Sequence, residues 1–85
     1  MQSESASTTA LTKREVEALT LLAHGSSNGD IARALGISES TVALHLFSAR
    51  KRLCAISREH AVALALSMGL IAPPRWRNPL ASDRL

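Results

Sequence analysis

Arg50, Lys51, Arg52 and Arg58 crowd one short stretch of the chain, whereas Glu4, Glu15, Glu17 and Asp30 all lie before it. Cations gathered in this way grip polyanions, because each phosphate they neutralise releases condensed counterions whatever the base sequence. Asn28, Ser38, Ser40 and Thr41 add neutral donors suited to phosphate oxygens. They fall where helices are expected to begin, and the free N–H groups of a helix start attract phosphate themselves. Taken singly, each of these residues is equally consistent with a solvated basic face that binds nothing. The whole-chain balance of ten Lys and Arg against seven Asp and Glu, with a pI near 10.0, favours a polyanionic partner.

No residue set of another chemistry competes with this one. Cys54 is the sole cysteine, which rules out an internal disulfide and a cysteine-rich zinc cluster and suits a reducing compartment. It reads as a small, semi-buried side chain with no base beside it. His24, His45 and His60 are too widely spaced for a metal motif and have no carboxylate at ligand spacing. Paired carboxylates, a nucleophile with its base and a phosphate loop are all missing from the pattern, so no enzyme and no cofactor is expected. The longest apolar run, near residues 61–66, is too short to cross a bilayer, and the polar start lacks the basic-then-apolar order of a secretory signal. The expected location is the cytoplasm, without membrane contact.

The candidate residues must be positioned by helices. Apolar residues make up 46% of the 85-residue chain, yet its only aromatics are Phe47 and Trp76. One small core of Leu, Ile, Val and Ala is therefore expected, a composition that favours packed helices over sheets. Thr12 followed by Glu15 is a capping-box pattern, and Leu11 with Val16 forms the accompanying hydrophobic staple. Val16, Leu19, Leu22 and Ala23 then recur at helical spacing up to Gly25, which suits a left-handed residue past the helix end. Ser27 can cap a short second helix carrying Ile31, Ala32 and Leu35, which stops at Gly36 with Ile37 folding back. Ser38 caps a third helix, free of Gly and Pro over residues 41–53, with Val42, Leu46, Ala49 and Leu53 on one stripe. Ser57 caps a fourth over residues 58–68, closed by Gly69 and Leu70 before Pro73 and Pro74. Residues 1–10 read as a tail or linker, and residues 72–85 as a C-terminal tail whose Trp76 could cover the fourth helix or touch a partner.

Within residues 28–47, Ala32 is small where two helices must approach, Gly36 allows the tight turn, and Val42 anchors the second helix on the first. Those demands, met at spacings of four and six, describe a helix-turn-helix. A generic helical hairpin could carry the same three residues.

The match extends beyond the trio. LTKREVE at the start, SNGDIARALGISESTV in the centre and SREHAVALALSMGLI at the end occur in the order of the LuxR-type, or GerE-type, DNA-binding domain, which residues 11–71 resemble. The resemblance implies an all-α fold: a compact four-helix domain whose third helix enters the major groove and whose fourth carries the dimer contact. It implies bacterial transcription regulation, and the Arg58-x-His60-Ala61-Val62 wording is similar to quorum-sensing members that respond to acyl-homoserine lactones. Relatives usually carry a further N-terminal ligand or receiver domain.

Carried over by position, the resemblance puts Ala43, Leu44 and Phe47 on the groove-facing side of the third helix, where relatives often have Lys or Arg. Here the sequence departs, since these residues cannot read guanine edges and could at best meet a thymine methyl or a sugar. His45 matches the family's usual histidine, Ser48 stands where Asn is frequent, and Arg52 where Lys is usual. Arg50 and Lys51 are the first choices for phosphate contact. Phe47 lies off the apolar stripe, so DNA contact, protein contact and burial against the N-terminal segment all remain open for it.

The fourth helix is apolar nearly all round, although a peripheral helix can bury only one side. If Ala61, Val62 and Ala65 face the core, then Leu64, Ser67 and Met68 are left for a second copy of the chain, and a two-fold dimer would suit a palindromic site. Tight packing of an Ala-rich helix is the competing explanation. The rival to DNA binding is a protein-interaction module, an anti-activator or co-regulator whose apolar third helix binds RNA polymerase or another regulator.

Overall fold

The computed structural model describes residues 11–73, which form four helices: α1 (Lys13–Ala23), α2 (Asn28–Leu35), α3 (Glu39–Leu53) and α4 (Arg58–Ser67). No strand occurs among the described residues, so the class is all-α, as expected. Residues 1–10 and 74–85, including Trp76, lie outside the described residues.

Each helix starts where a side-chain oxygen can take up an orphan N–H. Thr12 and Glu15 form a reciprocal capping box, and Ser27 and Asp30 form a second. Ser38 Oγ accepts from Thr41 N–H at 3.1 Å, and Ser57 Oγ accepts from His60 N–H at 3.0 Å. α3 begins at Glu39, the residue after the Ser38 cap.

All four helices end by one device, a backbone bond from the residue past a left-handed position back onto the last turn. The pairs are Ser26 to Leu21, Ile37 to Ala32, Ala55 to Arg50 and Leu70 to Ala65, at 2.8–3.0 Å. Three of these ends use Gly. The end of α3 uses Cys54, the only described non-glycine residue with positive φ, at 57°. Its side chain is exposed and not semi-buried as expected, because a left-handed turn directs Cβ away from the helix it closes.

The core forms around α3, which packs against each of the other three helices. Ala18, Leu19, Ile31, Val42, Ala49, Ala61 and Ala65 are wholly buried, with Leu46 and Leu53 close behind. Four of these nine are alanines, so the helix axes approach closely and little space remains for larger residues. Ala32 and Val42 are both buried at the α2–α3 crossing, and Gly36 adopts φ 69° in the turn between them. With the stripe Val42, Leu46, Ala49 and Leu53 turned inward, the opposite side of α3 is left to solvent.

Candidate nucleic-acid interface

Ser40, Ala43, Leu44, Phe47 and Lys51 are exposed along α3, flanked by half-buried Thr41, His45, Ser48 and Arg50. Their spacing follows from the buried stripe: residues three and four apart share a helix face, so fixing one face fixes the other. The surface is graded from hydroxyls at the N-terminal end, through an apolar middle, to cations at the C-terminal end.

The hydroxyl end is internally satisfied. Besides capping the helix, Ser38 Oγ lies 3.2 Å from Ser40 Oγ and 2.9 Å from Thr41 Oγ1. Glu39, Asp30 and Glu59 occupy the first turns of α3, α2 and α4. They favour their own helix dipoles, yet their charge opposes a phosphate at the same N-termini. The attraction of these helix starts for phosphate is therefore weaker than the sequence suggests.

The cations are placed unequally. Arg50 lies over the Phe47 ring at 5.3 Å from its centroid, and Lys51 at 5.7 Å, both within cation–π range. Arg50 also donates from Nη1 to the carbonyl of Ala55 at 3.1 Å, which holds its stem at the end of α3. Arg58 Nη2 donates to Asn28 Oδ1 at 2.8 Å, tying the start of α4 to the start of α2. Two residues expected to touch a partner independently thus form one unit. Arg52 instead points to α1, its Nε 3.0 Å from Glu15 Oε1. That carboxylate is almost wholly buried, so the cation grouped with Arg50 and Lys51 by sequence is already engaged in holding the fold.

Ala43, Leu46, Phe47, Arg50, Ser57 and Arg58 line a shallow concavity of about 210 Å³ between α3 and the start of α4. Ser57 had been legible only as a cap. Its place at this rim depends on how α4 crosses α3, which no local pattern reports. A separate groove of about 380 Å³ runs between α1 and α2, lined by Val16, Glu17, Thr20, Leu21, Ala34 and Leu35. At the end of α4, Ser67 and the capping Met68 are exposed, whereas Leu64 is half-buried against the core and offers only part of its surface to a partner. His60 serves the fold locally, Nδ1 accepting from Ile56 N–H at 3.0 Å. No described helix is long and apolar enough to cross a membrane.

The family model described as "Bacterial regulatory proteins, luxR family" matches residues 9–65. The transcriptional activator protein LuxR of Aliivibrio fischeri is 40% identical over 68 residues, covering 80% of this chain and 27% of that protein. VjbR of Brucella ovis, described as a quorum sensing-dependent transcriptional regulator, is 44% identical over 68 residues, covering 80% of this chain and 26% of its own length. The chain thus spans about a quarter of these curated relatives. Among solved structures, the transcription factor GerE superposes with a TM-score of 0.70 at 35% identity, covering 73% of this chain and 92% of its own. The VqmA dimer of Vibrio cholerae, described as a LuxR-type receptor, gives 0.71 at 36% identity, covering 82% of this chain and 33% of its own. These are regulators and not enzymes, and the four helices, the small-residue crossing and the family match agree: the chain belongs to the luxR family of bacterial regulatory proteins.

Proposed function

We propose that this helix-turn-helix domain binds duplex DNA with α3 in the major groove, using Arg50, Lys51 and the Arg58–Asn28 pair on phosphates. The observation that carries the reading is the open face of α3: a helix held by its buried stripe presents a free side flanked by cations. Thr41, His45, Ser48 and Ser40 are its candidate polar contacts, and Ser38 supports them from the cap. Arg52 acts through Glu15 as a positioning residue. The domain works in the cytoplasm within a transcription regulator, and the quorum-sensing role named for VjbR is the model for its control.

Dimerisation through α4 completes the reading, with Met68 and Ser67 as the exposed contact and Leu64 at its edge. Met68 is 47% exposed, large and apolar, which suits a two-fold contact. Sedimentation of the chain with and without Met68→Glu tests this: a dimer should become a monomer.

The test of DNA binding is a titration with promoter fragments at two salt concentrations. Each phosphate contact contributes a slope of roughly −0.9 in log K against log salt, so three contacts give about −2.7. A second reading is favoured by the exposure of Leu44 and Phe47, namely that α3 binds a protein partner such as RNA polymerase or another regulator. Absence of duplex binding even at low salt would support it.

A further inference from the structure

The middle of the open α3 face carries apolar side chains that the fold does not use. Leu44 is 63% exposed and Phe47 51%, with Ala43 open beside them. Positions 43, 44 and 47 lie within one turn and form a continuous strip. The Phe47 ring is held in place by the cations of Arg50 and Lys51 above it. Such a surface suits a partner that offers an apolar group between rows of negative charge. In the major groove, the C5-methyl of thymine is the apolar group on the base edges, and phosphates flank it on both strands.

The nearest arginines are poorly placed to read guanine. A bidentate contact needs a free guanidinium fork, but Arg50 is bound to the Ala55 carbonyl and lies over Phe47, while Arg52 is paired with Glu15.

We infer that Ala43, Leu44 and Phe47 form a thymine-methyl reader, with Phe47 as its principal specificity-determining residue. The inference rests on the placement of α3 in the major groove proposed above and names what that helix reads. Arg50 and Lys51 then have two roles, gripping phosphate and fixing the ring that meets the methyl.

The test uses the full chain and the duplex it enriches most strongly from a random pool. Each thymine of that duplex is replaced singly by 2′-deoxyuridine, which removes the methyl and leaves the pairing edge intact. At one or two thymines the replacement should weaken binding about fourfold, the effect of one buried methyl-sized group. In Phe47→Ala the same replacement should change binding by a factor near one. The first arm alters only the DNA, so it does not depend on how any variant folds. If a duplex is enriched but no thymine is sensitive, or if the sensitivity survives Phe47→Ala, the methyl-reading inference falls while the groove placement stands. If no duplex is enriched at all, both fall together.

Discussion

Arg52 Nε lies 3.0 Å from Glu15 Oε1, joining the last turn of α3 to the first turn of α1 across 37 residues of sequence. Glu15 accepts from Thr12 N–H at 3.0 Å through the same carboxylate, so one buried side chain both starts α1 and orients α3. Replacing Arg52 with Ala leaves a buried carboxylate without its cation. The expected loss is about 1–3 kcal/mol, towards the lower end because the Arg52 side chain is 41% exposed and screened by solvent. Glu15→Gln preserves the capping box and should cost less than Glu15→Ala. Denaturant unfolding measures all three, and an unchanged midpoint for Arg52→Ala would refute the positioning role.

Cys54 stands in the left-handed conformation that the other three helix ends give to glycine. A side chain there is strained by roughly 1 kcal/mol, partly offset by the greater freedom of an unfolded glycine. Cys54→Gly should therefore raise stability by up to about 0.5 kcal/mol, read as a melting temperature about 2–4 °C higher. A lower melting temperature would mean that the exposed thiol makes a contact of greater worth.

Asp30 is held below the ordinary aspartate range, first by the backbone N–H of Ser27, then by the Ser27 hydroxyl and by Arg33. A carboxyl whose native pKa is lowered releases its proton more readily when folded. Its contribution to stability is therefore present above the unfolded value of about 3.9 and is lost as pH falls through the native value. Asp30→Asn should flatten the acid limb of the stability curve below about pH 4 and leave its shape at neutral pH unchanged. Thermal melts from pH 2 to 7 would show this.

Arg50 and Lys51 should contribute mainly to affinity, with only the Arg50 bond to the Ala55 carbonyl at stake in the fold. The double change Arg50→Ala with Lys51→Ala is expected to weaken binding to every sequence, most at the thymine-containing site whose reader Phe47 loses its support, and to reduce the salt slope by about two. Arg52→Ala should reverse that pattern, lowering stability while leaving the slope nearly unchanged. Fluorescence anisotropy at several salt concentrations separates the two, and equal slopes for all three proteins would remove Arg50 and Lys51 from the contact surface.

Much of this architecture was legible because it is local. Thr12, Ser27, Ser38 and Ser57 announce their helices through oxygens that reach only three residues ahead, and the stripe from Val42 to Leu53 fixes which side of α3 remains open. The use made of Arg52 was not legible, since its partner is supplied by tertiary packing and adjacent cations look alike in sequence. The same holds for Asn28 with Arg58, whose bond depends on where α3 holds the first residues of α2 and α4. Cys54 is exposed for a different reason: it closes α3 in the left-handed turn, and a helix end lacking glycine gives no sequence sign of that turn.

If the open face of α3 is the surface that meets a duplex, the backbone amide resonances of the chain should report it as the selected duplex is added. The largest shifts should fall on Ser40, Thr41, Ala43, Leu44, Phe47, Ser48 and Lys51, with smaller ones at Asn28 and Arg58. Shifts concentrated on Val16, Leu21 and Leu35 in the α1–α2 groove, with α3 silent, would contradict it.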